Sequence, residues 1–99
     1  MKPAILNQEA REELDEAVAW YDAKQSGLGH RLLDEVLSAL DRVESNPGIG
    51  ARYSKRKRFY RLKHFPYIIY YQEFADHLWI GAIAHERRRP GYWKRRKPE

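Results

Sequence analysis

The stretch FPYIIYYQEFADHLWIGAIAH, Phe65 to His85, decides how this chain folds. Tyr67 to Phe74 and His77 to Ala84 are rich in aromatic and β-branched residues, and Ala75-Asp76 supplies a turn between them. Two antiparallel strands are predicted. PYIIYY is apolar at successive positions, so neither face of that strand suits water, and it is placed at the centre of a sheet. Upstream, Arg58 to Lys63 reads as a third strand of the same meander, and the short apolar run Ala4-Ile5-Leu6 as a first short strand joining the sheet beside the central strand. In a strand over 58–63, Arg61 and Lys63 share one face and Tyr60 and Leu62 the other. Two cations are then presented together beside His64.

Between the first run and the strands the hydrophobic period changes. Asn7 is a candidate N-cap, and Glu9, Glu12 and Glu13 suit the positive end of a helix dipole. Ala10, Leu14, Ala17, Val18 and Tyr21 then recur at helical spacing until KQSGLG interrupts them. A second stripe, Leu32, Leu33, Val36, Leu37, Leu40 and Val43, begins at about Leu28 and is broken by SNPG at Ser45 to Gly48. Two stripes with a short connection form an antiparallel helical hairpin. The predicted fold class is therefore α+β, a helical hairpin packed on a mainly antiparallel sheet.

A length of 99 residues with 42% hydrophobic content suits one domain over 1–99. The chain has no cysteine, which removes disulfides and thiolate metal sites from consideration. MKPAILNQEAREEL lacks the apolar stretch of a signal peptide, and no run approaches the roughly 20 residues of a membrane span. A cytoplasmic, non-membrane protein is expected. Charge divides the chain sharply: residues 1–50 hold five Lys and Arg against ten acids, and residues 51–99 hold fourteen against four. Such a basic half attracts phosphate or an acidic protein.

No metal spacing, glycine-rich phosphate loop or nucleophile triad is present in the sequence, so neither metal nor cofactor is expected. His30, His64, His77 and His85 are scattered. The informative residues are bases interleaved with aromatics, RYSKRKRFYRLKHF from Arg52 and HERRRPGYWKRR from His85. That mixture suits phosphate contact with base stacking, and it also suits an acidic peptide. The candidate binding residues are Arg58, Arg61, Lys63, His85, Arg87, Arg88 and Arg89. Pro90 and Trp93 have a structural reading, in which Pro90 sets a turn, Trp93 folds back as an apolar lid and His85 holds the turn by a hydrogen bond. A basic tail follows from about residue 94.

Taken in order, the short strand, the hairpin ending in NPG, the basic strand, FPYIIYY and LWIGAIAHERRRPGYW resemble the RelE/ParE superfamily of bacterial type II toxin-antitoxin toxins over nearly the whole chain. His85, Arg88, Pro90 and Trp93 match an H-x-x-R-x-P-x-x-W ending of many ParE-like members, and FPY with Arg61 upstream supports it. The resemblance implies a growth-inhibiting toxin associated with plasmid stabilisation, neutralised by a small cognate antitoxin in a hetero-oligomer. It also implies one of two targets: DNA gyrase in the ParE branch, or ribosome-bound mRNA in the RelE branch. Only the second makes the chain an enzyme, with Arg61, His85, Arg88 and Tyr92 as catalytic candidates. Nuclease members usually carry an arginine inside the central strand. Here Ile68 occupies that stretch, and an aliphatic group cannot stabilise a phosphoryl transition state. Gyrase is the expected target. A non-toxic interaction module of the same fold is the third reading.

Overall fold

The computed structural model describes residues 2–98. Strand β1 (Ala4–Leu6) is followed by helix α1 (Gln8–Lys24) and helix α2 (Leu28–Ser45), a 3-10 turn over Pro47–Ile49, and strands β2 (Ala51–Arg52), β3 (Lys57–Arg61), β4 (Tyr67–Glu73) and β5 (Leu78–His85). The sheet has the order β1-β5-β4-β3-β2, with β1 parallel to β5 and every other pair antiparallel. PYIIYY is the central strand, as its two apolar faces require. The first strand joins beside β5, not beside the central strand, because β3 already fills the other side of β4.

Both sheet faces are covered, by different means. Ile69, Tyr71, Leu78, Ile80 and Ile83 point toward the helices and pack on Ala10, Leu14, Leu32, Val36 and Val43. Ile68, Tyr70, Trp79, Ala82 and Ala84 point the other way, where Trp93 returns over them with Tyr53 and Phe59 alongside. Trp93 is 1% exposed, with ring centroids 5.0 Å from Tyr70 and 5.6 Å from Tyr53. It is the lid its position beside Pro90 predicts. A bulge at Gly81 keeps the alternation in phase, since Tyr70 opposes Ala82 while Tyr71 opposes Ile80. A Cβ on Gly81 would come within 2.7 Å of the Trp79 ring, so only glycine allows that ring to fold beside the bulge.

Local chemistry explains most element ends. Asn7 occupies the cap of α1 without a capping side chain; its backbone N–H donates to Ile80 O at 2.9 Å and its carbonyl accepts from Arg11. The strand is thus welded to the helix. At the hairpin, Asp22 Oδ1 accepts the Gly29 N–H at 2.7 Å, and Gly29 lies so close to the Val18 carbonyl that a side chain would collide. The α2 stripe is narrower than its sequence suggests, because Leu37 is 50% exposed at the margin of the buried face. Strand β3 stops at Arg61, short of Lys63. The reason is Glu35, whose Oε2 accepts the Lys63 and His64 amides at 2.7 and 3.0 Å and draws the chain out of the ladder toward α2.

Emptying the lid should therefore be costly. Trp93→Ala is expected to lose about 3 kcal/mol in denaturant unfolding, the usual penalty for vacating a buried aromatic site. The indole N–H is buried and meets no acceptor among the described residues. Trp93→Phe, which removes that donor and keeps an aromatic ring in place, is expected to recover more than half of the loss.

Candidate functional site

Strand register assigns the candidate side chains to sheet faces. His85 opposes Tyr67 on the helix-facing side, and the two rings meet edge to face at 5.3 Å. Arg61 opposes Ile68, whose side chain belongs to the lid-covered face, and its guanidinium lies 5.6 Å over the Phe59 ring on that same face. The Arg61 and His85 side chains therefore leave the sheet on different faces.

His85, Arg88 and Tyr92 do come together. With Glu13, Trp20, Tyr21 and Tyr67 they line a cleft of about 340 Å³ between α1 and the end of β5. Arg88 stacks on Tyr92 at 4.0 Å, and Trp20 is 57% exposed at the rim. Arg61 and Lys63 border a different cleft of about 410 Å³, against α2, with Arg31, Arg42 and His64. Arg58 is in neither; its Nη1 donates to Gly50 O at 2.9 Å. Arg87 and Arg89 are exposed in the turn after β5, and Pro90 lies in the turn that leads to Gly91.

The His85 ring is already committed. Its Nδ1 accepts the Arg87 N–H at 3.1 Å, and the Arg88 N–H donates to the His85 carbonyl at 3.0 Å, so residue and turn hold each other. In the neutral ring the only lone pair then belongs to that internal bond, and Nε2 carries the proton. Such a ring can donate to a ligand in the cleft. As a general base it would first have to break the turn.

Two carboxylates that organise these clefts escape a reading based on charge alone. Because β1 pairs only with Leu78–Ile80, the remaining edge of β5 lacks a strand neighbour among the described residues. Glu13 takes that place: its Oε1 accepts the Ile83 N–H at 3.0 Å and Arg96 Nη1 at 2.9 Å, and its Oε2 accepts the Tyr92 hydroxyl and Arg96 Nη2. Arg96 also donates to the bulge carbonyl of Gly81 at 3.1 Å. Burial pushes the Tyr92 phenol well above its ordinary range, and the adjoining Glu13 carboxylate pushes it further against the opposing Arg96 and Arg88 charges. For Arg96, burial would lower its value, but Glu13, Tyr92 and Glu9 outweigh it and the guanidinium stays charged. At the second cleft, burial would raise Glu35, yet bonds from the His64 amide and ring and from the Lys63 amide hold its carboxyl below the usual value. Glu13 sits between Ala10 and Ala17 on the buried stripe, a visible signal; Arg96 lies in a run of bases with nothing to distinguish it.

The comparisons bear on the family and the fold. The family described as ParE toxin of type II toxin-antitoxin system, parDE, matches residues 4–90, and the chain belongs to that family. A solved structure described as the chromosomal ParDE TA system from P. aeruginosa superposes with a TM-score of 0.75 at 15% identity, covering 86% of this chain and 96% of that one. At that identity the likeness speaks for the fold alone. No curated relative matches. The family match ends at Pro90, so Tyr92, Trp93 and Arg96 lie beyond it. Among the described residues no helix is long and apolar enough to cross a membrane, and no group of side chains has the makings of a metal site.

Glu13→Gln should cost on the order of 2 kcal/mol, because charge-assisted bonds are lost around groups that stay buried. Tyr92 adds a pH dependence whose sign is fixed. Its folded value is raised, so its contribution is complete below the unfolded value of about 10 and is lost as pH climbs from there toward the folded value. The melting temperature should fall above that pH, and Tyr92→Phe should shallow the fall.

Proposed function

We propose that this member of the ParE toxin family is the toxin of a type II pair, is neutralised in the cytoplasm by an acidic cognate antitoxin in a hetero-oligomer, and acts on DNA gyrase. The observation that carries the choice of target is the separation of the ribonuclease candidates: Arg61 borders the cleft against α2, while His85, Arg88 and Tyr92 line the other cleft, between α1 and the end of β5. The guanidinium that clamps the phosphate and the group that moves the proton must reach the same phosphodiester and its 2′-hydroxyl. Ile68, at the stretch where nuclease members usually carry an arginine, is buried beneath Trp93, and the His85 lone pair is spent on its own turn. What remains around His85 is a binding cleft with one aromatic rim, N–H donors and a guanidinium, suited to holding a protein surface.

Two reconstituted assays decide between the targets. Added to gyrase and relaxed plasmid, the purified chain should inhibit supercoiling or trap cleaved DNA, while ribosomes programmed with mRNA should leave the message intact. Cleavage of mRNA with no effect on gyrase would reverse the assignment; inactivity in both, together with unimpaired growth on induction, would make the chain an inert module. Arg88→Ala should melt within about 0.5 kcal/mol of the parent, as exposed substitutions usually do, yet lose most of its inhibition. A variant that is folded and fully inhibitory would remove the His85 cleft from the target interface.

A further inference from the structure

The hairpin joining β2 and β3 has no part in either cleft above. Arg52, Lys55, Arg56, Lys57 and Arg58 put five cations in seven positions, and residues 54–56 at its tip are exposed. We propose that this hairpin is a binding site for the phosphate backbone of duplex DNA. Three observations carry it. First, Arg52 stands directly opposite Arg58 in the strand register, where like charges repel, and the carbonyls to which they donate, Lys55 O and Gly50 O, leave both positive charges uncompensated. Second, none of the five is paired with a carboxylate among the described residues; Glu73, the acid that borders the hairpin, is held at 2.6 Å by Lys2. Third, the aromatics interleaved with these bases, Tyr53 and Phe59, are half-buried and already packed on the lid side of the sheet. Tyr53 and Phe59 pack on Tyr70, at 5.3 and 6.2 Å, alongside the lid.

The third observation selects the class of nucleic acid. Single strands are gripped by stacking bases on exposed aromatic rings, and the rings nearest these cations are already engaged, Tyr53 and Phe59 on Tyr70 and Phe74 on His77. Cations without a stacking platform contact phosphates only, which is how proteins hold a duplex without reading its sequence. A two-stranded ribbon also fits the width of the DNA major groove. Charge on an edge strand has a second use, in keeping other chains from adding to the sheet. Toxin that carries its own weak hold on DNA would be concentrated where DNA-bound enzymes work.

The test is fluorescence anisotropy of the purified full-length chain with a labelled duplex of arbitrary sequence, roughly 20 bp or two helical turns long, titrated across about 50 to 200 mM salt. Binding should be steeply salt-dependent and stronger for the duplex than for either separated strand. The double variant Lys55→Gln, Arg56→Gln should reduce the slope of log affinity against log salt by about 2, one unit for each phosphate no longer neutralised, and weaken binding about tenfold or more. Arg11→Gln, Arg31→Gln removes the same charge from the exposed surface of the two helices and should change both far less. Equal losses in the two double variants would mean that net charge alone is at work and overturn the site, as would preference for single strands or absence of duplex binding at the lowest salt. If the hairpin variant instead keeps its affinity for duplex and loses it for poly-glutamate, the hairpin serves an acidic protein and the proposal fails.

Discussion

Strands β4 and β5 have no face that tolerates water, and the rest of the molecule follows from covering both of them. Ile68 to Tyr71 and Leu78 to Ala84 are buried without interruption. A helical hairpin lies on one side only and cannot hide a strand pair that is apolar on both, so a second cover is needed, and the chain after β5 provides it. Trp93 crosses back over Tyr70 and Trp79, while Tyr92 and Arg96 tie that return to α1 through Glu13. The base-rich segment at the end of the chain is thereby an integral layer of the fold for part of its length. Arg96 has a side chain only 13% exposed, in a position where composition alone predicts a solvated tail.

Much of this architecture is legible in the sequence because it rests on period. Ala10, Leu14 and Ala17, and Leu32, Val36, Leu40 and Val43, are buried where helical spacing puts them, and PYIIYY is central because both of its faces are apolar. The lid is legible too, since a tryptophan beyond a Pro-Gly turn has the sheet to return to. Failures occur where one side chain captures backbone groups at long range. The Glu35 carboxylate ends β3 at Arg61, and Arg61 and Lys63 cease to share a strand face. Nothing in local spacing reports a bond made 28 residues away. Register has the same character: a Gly81 bulge decides which face later residues of β5 occupy, and with it whether His85 looks toward Arg61 or away from it.

The acid-rich half of the chain acquires a different meaning once its partners are known. Asp22, Glu13, Glu35 and Glu44 each accept backbone N–H groups, from Gly29, from Ile83, from Lys63 and His64, and from Ala4 respectively. These are the donors that helix starts, a strand edge without a neighbour and a loop drawn out of its ladder leave unsatisfied. A carboxylate meets such donors with charge-assisted bonds, so Asp22 caps the start of α2 while Glu13, Glu35 and Glu44 act as caps for the β half. The consequence is electrostatic. Negative charge spent on backbone amides at the helix–sheet seam is turned inward, and the cations of β3, its hairpin and the turn after β5 remain outside with few carboxylates beside them. A small domain with that division exposes its positive side to whatever it meets, and an acidic partner that docks there relieves repulsion the fold itself leaves in place.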